Sequence, residues 1–201
     1  SFPHLGERRG VPATIRTGAL PLADKLDGSI PIIYVAGTCM NAGKTFACCE
    51  IIRGLTRRGV KVGAAKLTGV SLRRDTLKME DVGAVRAFNF NDAGIVSTRP
   101  ESAPPVARGL IRALNDPSLG EKLDCLVIEL GDGIMGEYGV YEILKEKDLV
   151  APARAFVMCA NDPVGAWGAA EFMQNDLGIR LTVVTGPTTD NAVGRSFIER
   201  R

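Results

Sequence analysis

Ile32-Ile33-Tyr34-Val35-Ala36-Gly37-Thr38-Cys39-Met40-Asn41-Ala42-Gly43-Lys44-Thr45 is the stretch that decides the fold. It reads as a buried strand ending at Gly37, a loop, and a helix opened by Lys44-Thr45. Anion chemistry needs this order for three reasons. Successive main-chain N–H groups in such a loop point inward and form a nest for anionic oxygens. The helix start adds unpaired donors and the positive end of the dipole. Lys44 then contributes a point charge at the β/γ-phosphates, and the Thr45 hydroxyl can ligate magnesium. Gly37, Thr38, Asn41, Ala42, Gly43, Lys44 and Thr45 are therefore the expected phosphate contacts. The usual spacing would put the first glycine at position 38, but Thr38 stands there and the glycine comes one residue earlier.

Composition narrows the setting. The chain has 201 residues, enough for one α/β domain with a real core and at most a small appendage. Its 25 basic and 23 acidic residues are mixed along the chain for a net charge of +2, which gives no reason to propose a nucleic-acid surface. The densest basic spots are Arg8-Arg9, Arg57-Arg58 and Arg73-Arg74, the first two read as solvated surface. No apolar run approaches the roughly 20 residues that span a bilayer, so no membrane partner is expected. The five cysteines include no Cys-x-x-Cys pair and the chain has one histidine, His4, which argues against zinc and against a disulfide framework. Cys48, Cys125 and Cys159 read as small core residues, and a reducing cytoplasm is the expected compartment.

Residues 1–29 are rich in glycine, proline and charge, and begin Ser1-Phe2-Pro3 without an initiating Met. They are expected to form an arm or the tail of an upstream domain, with residues 30–201 as the nucleotide-binding unit. From Pro31 short apolar strands alternate with amphipathic helices. Strands are expected at 32–36, 62–66, 125–129, 155–159 and 181–185, with helices near 44–58, 104–115, 137–147 and 165–177. Nearly continuous apolar strands in this alternation specify an α/β fold, with a mostly parallel sheet covered by helices on both faces.

A triphosphate in the loop needs magnesium, and the cation needs carboxylates near the strand ends. Glu129 and Asp132 lie where the strand at 125–129 runs into Leu130-Gly131-Asp132-Gly133. Asp132 reads either as a substrate contact or as part of an Asp-Gly turn. For Glu129 the purely structural reading is weaker, because a carboxylate ending an apolar strand is costly unless paired or metal-bound. The stretch from Thr68 to Asp81 is a polar loop or short helix. Asp75 or Asp81 would close the magnesium shell, and Thr68 with Arg73-Arg74 would grip an anionic substrate. Its other reading is an exposed amphipathic helix buried through Leu72, Leu77, Met79 and Val82. Asp162 reads as a helix cap with Pro163 at the first helical position, or with Asn161 as a substrate contact. Trp167 fits core packing or a dimer interface better than base stacking.

Gly37-Thr38-x-x-x-x-Gly43-Lys44-Thr45 resembles the loop of dethiobiotin synthetase and its relatives, a branch of P-loop NTPases that includes amide-forming and cobyrinate-type ligases. The resemblance runs along most of residues 31–191 as an order of motifs, and implies a three-layer fold, ATP and magnesium. It implies that Lys66, in Ala64-Ala65-Lys66-Leu67-Thr68, contacts phosphate or a substrate carboxylate. Val127-Ile128-Glu129-Leu130-Gly131-Asp132-Gly133 is similar to the family's Val-Glu-Gly-Ala-Gly-Gly segment, which implies magnesium at Glu129. Thr185 to Asn191 resembles the place where relatives recognise the base, so Asn191 is a candidate there. Related enzymes are often dimers, which makes a homodimer an expectation. The segment after Lys66 departs from the synthetase sequence. A nearer resemblance, to P-loop proteins carrying Met-Asn-Ala-Gly-Lys-Thr and Lys-Leu/Val-Thr-Gly, supports the fold and supplies no substrate. Partitioning-type ATPases carry a second lysine where this chain has Cys39, so their mechanism does not transfer.

Two functional readings follow. In the first, the chain transfers a γ-phosphoryl group from ATP to a small acid or amine, with Lys44, Lys66 and Glu129 as its catalytic residues. In the second, it is a nucleotide-gated NTPase switch acting on a protein partner. No Asn-Lys-x-Asp run marks guanine.

Overall fold

The computed structural model describes residues 14–70 and 72–200. The strands expected from apolar runs all form: β1 (Ile32–Gly37), β2 (Val62–Lys66), β4 (Cys125–Glu129), β5 (Ala153–Cys159) and β6 (Val183–Thr185). A further strand, β3 (Arg86–Asn89), completes a six-stranded sheet in the order β3-β2-β4-β1-β5-β6. Every strand pair within it is parallel.

Alternation along β1 shows how the layers are made. Ile32 and Tyr34 belong to a core shared with α3 (Ala103–Asn115), α4 (Val140–Lys145), α5 (Lys147–Val150) and α6 (Pro163–Leu177). Val35 faces the other way, into a core with Cys48 and Ile52 of α1 (Lys44–Thr56) and Met79 of α2 (Arg73–Asp81). Both faces of the sheet are thus covered, the condition under which strands lose the polar half of their alternation. Cys48, Cys125 and Cys159 are buried free thiols in the second core, as expected.

The differences from the sequence reading are local. β3, Arg86-Ala-Phe-Asn, is an edge strand with one buried residue and no apolar run to mark it. The polar stretch after β2 forms helix α2, with Asp75, Thr76 and Met79 inward while Leu72 and Leu77 are exposed. The helix expected at 137–147 is two, because Glu146 is extended between α4 and α5. A last helix, α7 (Ala192–Glu199), was not foreseen; the Asn191 side chain caps it by accepting from Gly194 N at 2.8 Å. Asp162 caps α6, accepting from Gly165 N at 2.9 Å with Pro163 leading the helix. Trp167 is 46% exposed on α6, so it is not a core residue.

His4, Arg8-Arg9 and the rest of the first thirteen residues lie outside the described residues. From Leu20 the segment expected as an arm runs along α3. Leu20 N donates to Asp92 O at 2.7 Å, Ala23 N to Pro105 O at 3.1 Å, and Leu26, 4% exposed, joins the core. Among the described residues no helix is long and apolar enough to cross a membrane.

Candidate functional site

Strand order brings the site together. β1 lies beside β4, and β4 beside β2, so the loop after β1, Glu129 ending β4 and Lys66 ending β2 meet at one sheet edge. Lys66 and Glu129 are register partners. This C-terminal edge is where ligands collect in open α/β sheets.

The loop after β1 is held from three sides. Thr38 N donates to Cys159 O at 2.9 Å, and Ile134 N to Gly37 O at 2.9 Å. Gly186, at φ 93°, presses so close that a Cβ there would stand 2.6 Å from Ala42 O. Asn161 Nδ2 donates to Cys39 Sγ at 3.2 Å. Within the loop Asn41 takes φ 60° and Gly43 φ 97°. Successive residues alternating between left- and right-handed conformations turn their amides to one side, the geometry of an anion nest. Lys44, 6% exposed, folds back across Gly37 and donates to Cys39 O at 2.8 Å. A Cβ on Gly37 would meet its Cδ at 3.0 Å, which accounts for a glycine at the strand exit. Burial pulls the Lys44 ammonium below its usual pKa, while Glu129 draws it back up.

Beside the loop lies a buried charge cluster. Lys66 Nζ stands 2.6 Å from Asp75 Oδ2 and 3.9 Å from Glu129 Oε1, with the three residues 8%, 7% and 2% exposed. Glu129 Oε2 is buried without a hydrogen-bond partner. Burial raises the Glu129 pKa, opposed by the Lys66 ammonium and by the Thr45 hydroxyl beside it. A carboxylate oxygen left unsatisfied costs free energy in a folded protein, so this one calls for a ligand.

Lys44, Thr45, Lys66, Asp75, Glu129 and Asp132 line one cavity of about 400 Å3, with Asn41 and Gly43 at its base. Asp132 sits in it at φ 72°, half-buried on the turn after β4. Arg74 lines it as well. Arg73 does not, and Asp81 lines a neighbouring cavity that shares Thr45, Phe46 and Lys78 with the first. Thr68 is fully buried with its hydroxyl donating to Gly131 O at 2.9 Å, and it is absent from the cavity wall. Asn191 does not line the further cavity formed by Gly43, Phe46, Glu50, Thr185, Gly186 and Asp190 among others. Met40, Phe46, Lys78 and Tyr138, to which the sequence reading gave no role in a site, also line the first cavity, as does Leu72, which was expected to be buried in the helix packing. A single signal could have found Lys78, its place four residues after Arg74 on a helix.

The donor set suits magnesium better than a softer metal. Among the described residues no three His, Cys, Asp or Glu side chains gather as a protein-built metal cluster. Magnesium does not need one: it is commonly held by one or two carboxylates, a hydroxyl, waters and the phosphates of its substrate. Thr45 and the free Glu129 oxygen fit that pattern.

No protein-family model matches the chain, and no curated protein does. Solved structures match over most of it. The signal recognition particle receptor FtsY from Elizabethkingia anophelis in complex with GDP is 15% identical, with a TM-score of 0.52 over 85% of this chain and 52% of that one. The signal recognition particle 54 kDa protein from Aeropyrum pernix K1 in complex with GDP is 19% identical, with a TM-score of 0.52 over 85% of this chain and 38% of that one. The chain thus spans about half the length of the first and less of the second. At these identities the likeness shows the fold alone. The chain has the P-loop NTPase fold, an α/β architecture with an all-parallel six-stranded sheet.

Proposed function

We propose that this domain, residues 30–201, binds a magnesium–nucleotide complex and transfers its terminal phosphoryl group to a small-molecule acceptor. ATP is the nucleotide implied by the resemblance to dethiobiotin synthetase. One observation carries the reading: the nest and Lys44 share a single cavity with Glu129, one of whose carboxylate oxygens is buried without a hydrogen-bond partner.

In this reading the amides of Asn41 to Thr45 and the Lys44 ammonium bind the β- and γ-phosphates. Thr45 and Glu129 would hold magnesium, which when bound offsets the charge of the triphosphate. Lys66, kept in place by Asp75, stabilises negative charge that develops on the transferred group. Asp132, at the cavity wall, orients the acceptor. Positioning and electrostatics supply the rate, as phosphoryl transfer requires little covalent chemistry from a protein.

The test is a turnover assay with Mg-ATP and Mg-GTP against a metabolite panel, read by mass spectrometry for phosphorylated or ligated products. A metabolite that accepts the phosphoryl group, and whose conversion is lost in Lys66→Met, is the expected result. Slow hydrolysis indifferent to every metabolite but accelerated by a protein partner would replace the reading with a nucleotide-gated switch.

A further inference from the structure

The cavity holds more positive charge than its phosphate loop and its ion pairs account for. Lys44 is committed to the loop, and Lys66 to Asp75 and Glu129. Two further cations line the same cavity, Arg74 and Lys78. They stand four residues apart on α2 and so share one face of the helix. Arg74, with 71% of its side chain exposed, comes no closer than 4.0 Å to a carboxylate, that of Asp75, whose other oxygen holds Lys66. Lys78 has no ion-pair partner among the described residues. Neither cation packs the helix down, a task that falls to Thr76 and Met79. Like charges at this spacing repel each other, and the long contact from Arg74 to Asp75, shared with Lys66, relieves it only in part.

The second observation concerns the surface beside them. Met40 and Phe46 line the same cavity with 63% and 72% of their surface exposed, and Leu72 with 45%. One comes from the phosphate loop, one from the first turn of α1 and one from the lead into α2. Apolar surface that converges on a polar cavity from separate segments is the usual wall of a small-molecule site. Asp132 is the cavity's one carboxylate with no ion pair among the described residues, and it stands on the turn after β4.

We propose that Arg74 and Lys78 are the docking site for the acid group of the acceptor, whose apolar skeleton lies on Met40 and Phe46. This rests on the phosphoryl-transfer reading and narrows it, because the acceptor is an organic acid. An acceptor anchored by an ammonium group would set its charge against two cations. A guanidinium and an ammonium one helical turn apart suit a carboxylate or phosphate monoester, and the apolar wall favours an anion with a hydrocarbon body over a bare inorganic ion.

The experiment is an amide-resolved NMR titration of the protein saturated with Mg-ADP, using hexanoate, acetate and hexylamine as probes. Hexanoate is expected to shift the amides of residues 72–78 together with Met40 and Phe46. Acetate should bind roughly fivefold more weakly, and hexylamine should leave those amides unmoved. In Arg74→Ala/Lys78→Ala, whose replaced side chains are exposed, hexanoate should weaken by roughly fivefold or more while Arg57→Ala leaves it unchanged. Equal binding of hexanoate in the double variant, or hexylamine binding as well as hexanoate, overturns this inference and leaves nucleotide binding standing. Absence of shifts at Gly43 to Thr45 with either Mg-ADP or Mg-GDP in the unaltered protein overturns both.

Discussion

Two clusters of charge lie part-way inside this molecule, and they are built on opposite terms. On the far side of the sheet from α1, Arg108 of α3 meets Asp148 of α5 through two hydrogen bonds of 2.7 and 2.9 Å and also bonds Glu146. Asp148 further accepts from Leu26 N at 2.9 Å, and its pKa falls to about 2, chiefly through Arg108. Each carboxylate oxygen of Asp148 has a partner. At the sheet edge, Lys66 faces two carboxylates, yet one oxygen of Glu129 has no partner and the Glu129 pKa rises. The first cluster fastens the segment before β1 and α5 to α3. The second stores a cost that a cation can remove. A satisfied network reads as architecture, and an unsatisfied one beside a cavity reads as a site.

The contrast makes charge removal act with opposite sign in the two places. Arg108→Ala should destabilise by about 2 kcal/mol, since it removes the partner of the part-buried Asp148 while Glu146 stays solvated, lowering the melting temperature by about 4–8 °C. Calorimetric unfolding checks this, and a loss within 0.5 kcal/mol would reduce the cluster to surface decoration. Glu129→Gln should instead hold or gain stability, by about 1 kcal/mol, while weakening magnesium dependence of nucleotide binding by about tenfold. A magnesium titration of the variant that matches the unaltered protein would remove Glu129 from the metal site.

Acid should separate the clusters next. The depressed pKa of Asp148 means its contribution is fully present above the ordinary carboxylate range and is lost as pH falls from about 4 to about 2. Solvent screening holds that loss to about 1 kcal/mol. The raised pKa of Glu129 works the other way, because the fold favours its protonated form and stability declines as pH rises through that group's titration. Denaturant midpoints of Asp148→Asn and Glu129→Gln measured across pH 2–7 should therefore diverge from the unaltered protein in opposite directions; parallel curves would contradict the comparison. The smallest effect belongs to Asp81→Asn. Exposed at the end of α2 and outside the cavity, it should shift stability by less than about 0.5 kcal/mol and leave the magnesium titration unchanged.

The sequence revealed these two regions unequally, for physical reasons. The phosphate loop is legible because its chemistry is contiguous: strand, glycines, Lys44 and Thr45 must follow one another. Glu129 is legible because a carboxylate ending an apolar strand demands a partner, whereas Lys66 was read through the resemblance alone. That Asp75 pairs with Lys66 depends on how α2 returns to the sheet, and no local pattern carries that angle. Arg108 and Asp148 are 40 residues apart and meet only through the packing of α3 on α5. Phe46 and Lys78 escaped because an exposed helical side chain leaves no trace in hydrophobic periodicity. Asn191 was read through a resemblance alone; its side chain is occupied as the cap of α7, a helix too short to announce itself.

The most direct measurement is a calorimetric titration of the unaltered protein and of Lys44→Ala with Mg-ADP and Mg-GDP. If the loop and its ammonium are a polyphosphate receptacle, the unaltered protein binds at least one of the two in the micromolar range, and Lys44→Ala weakens it by about a hundredfold or more. Equal heats and equal affinities in both proteins, or no binding of either nucleotide to the unaltered one, would contradict the account.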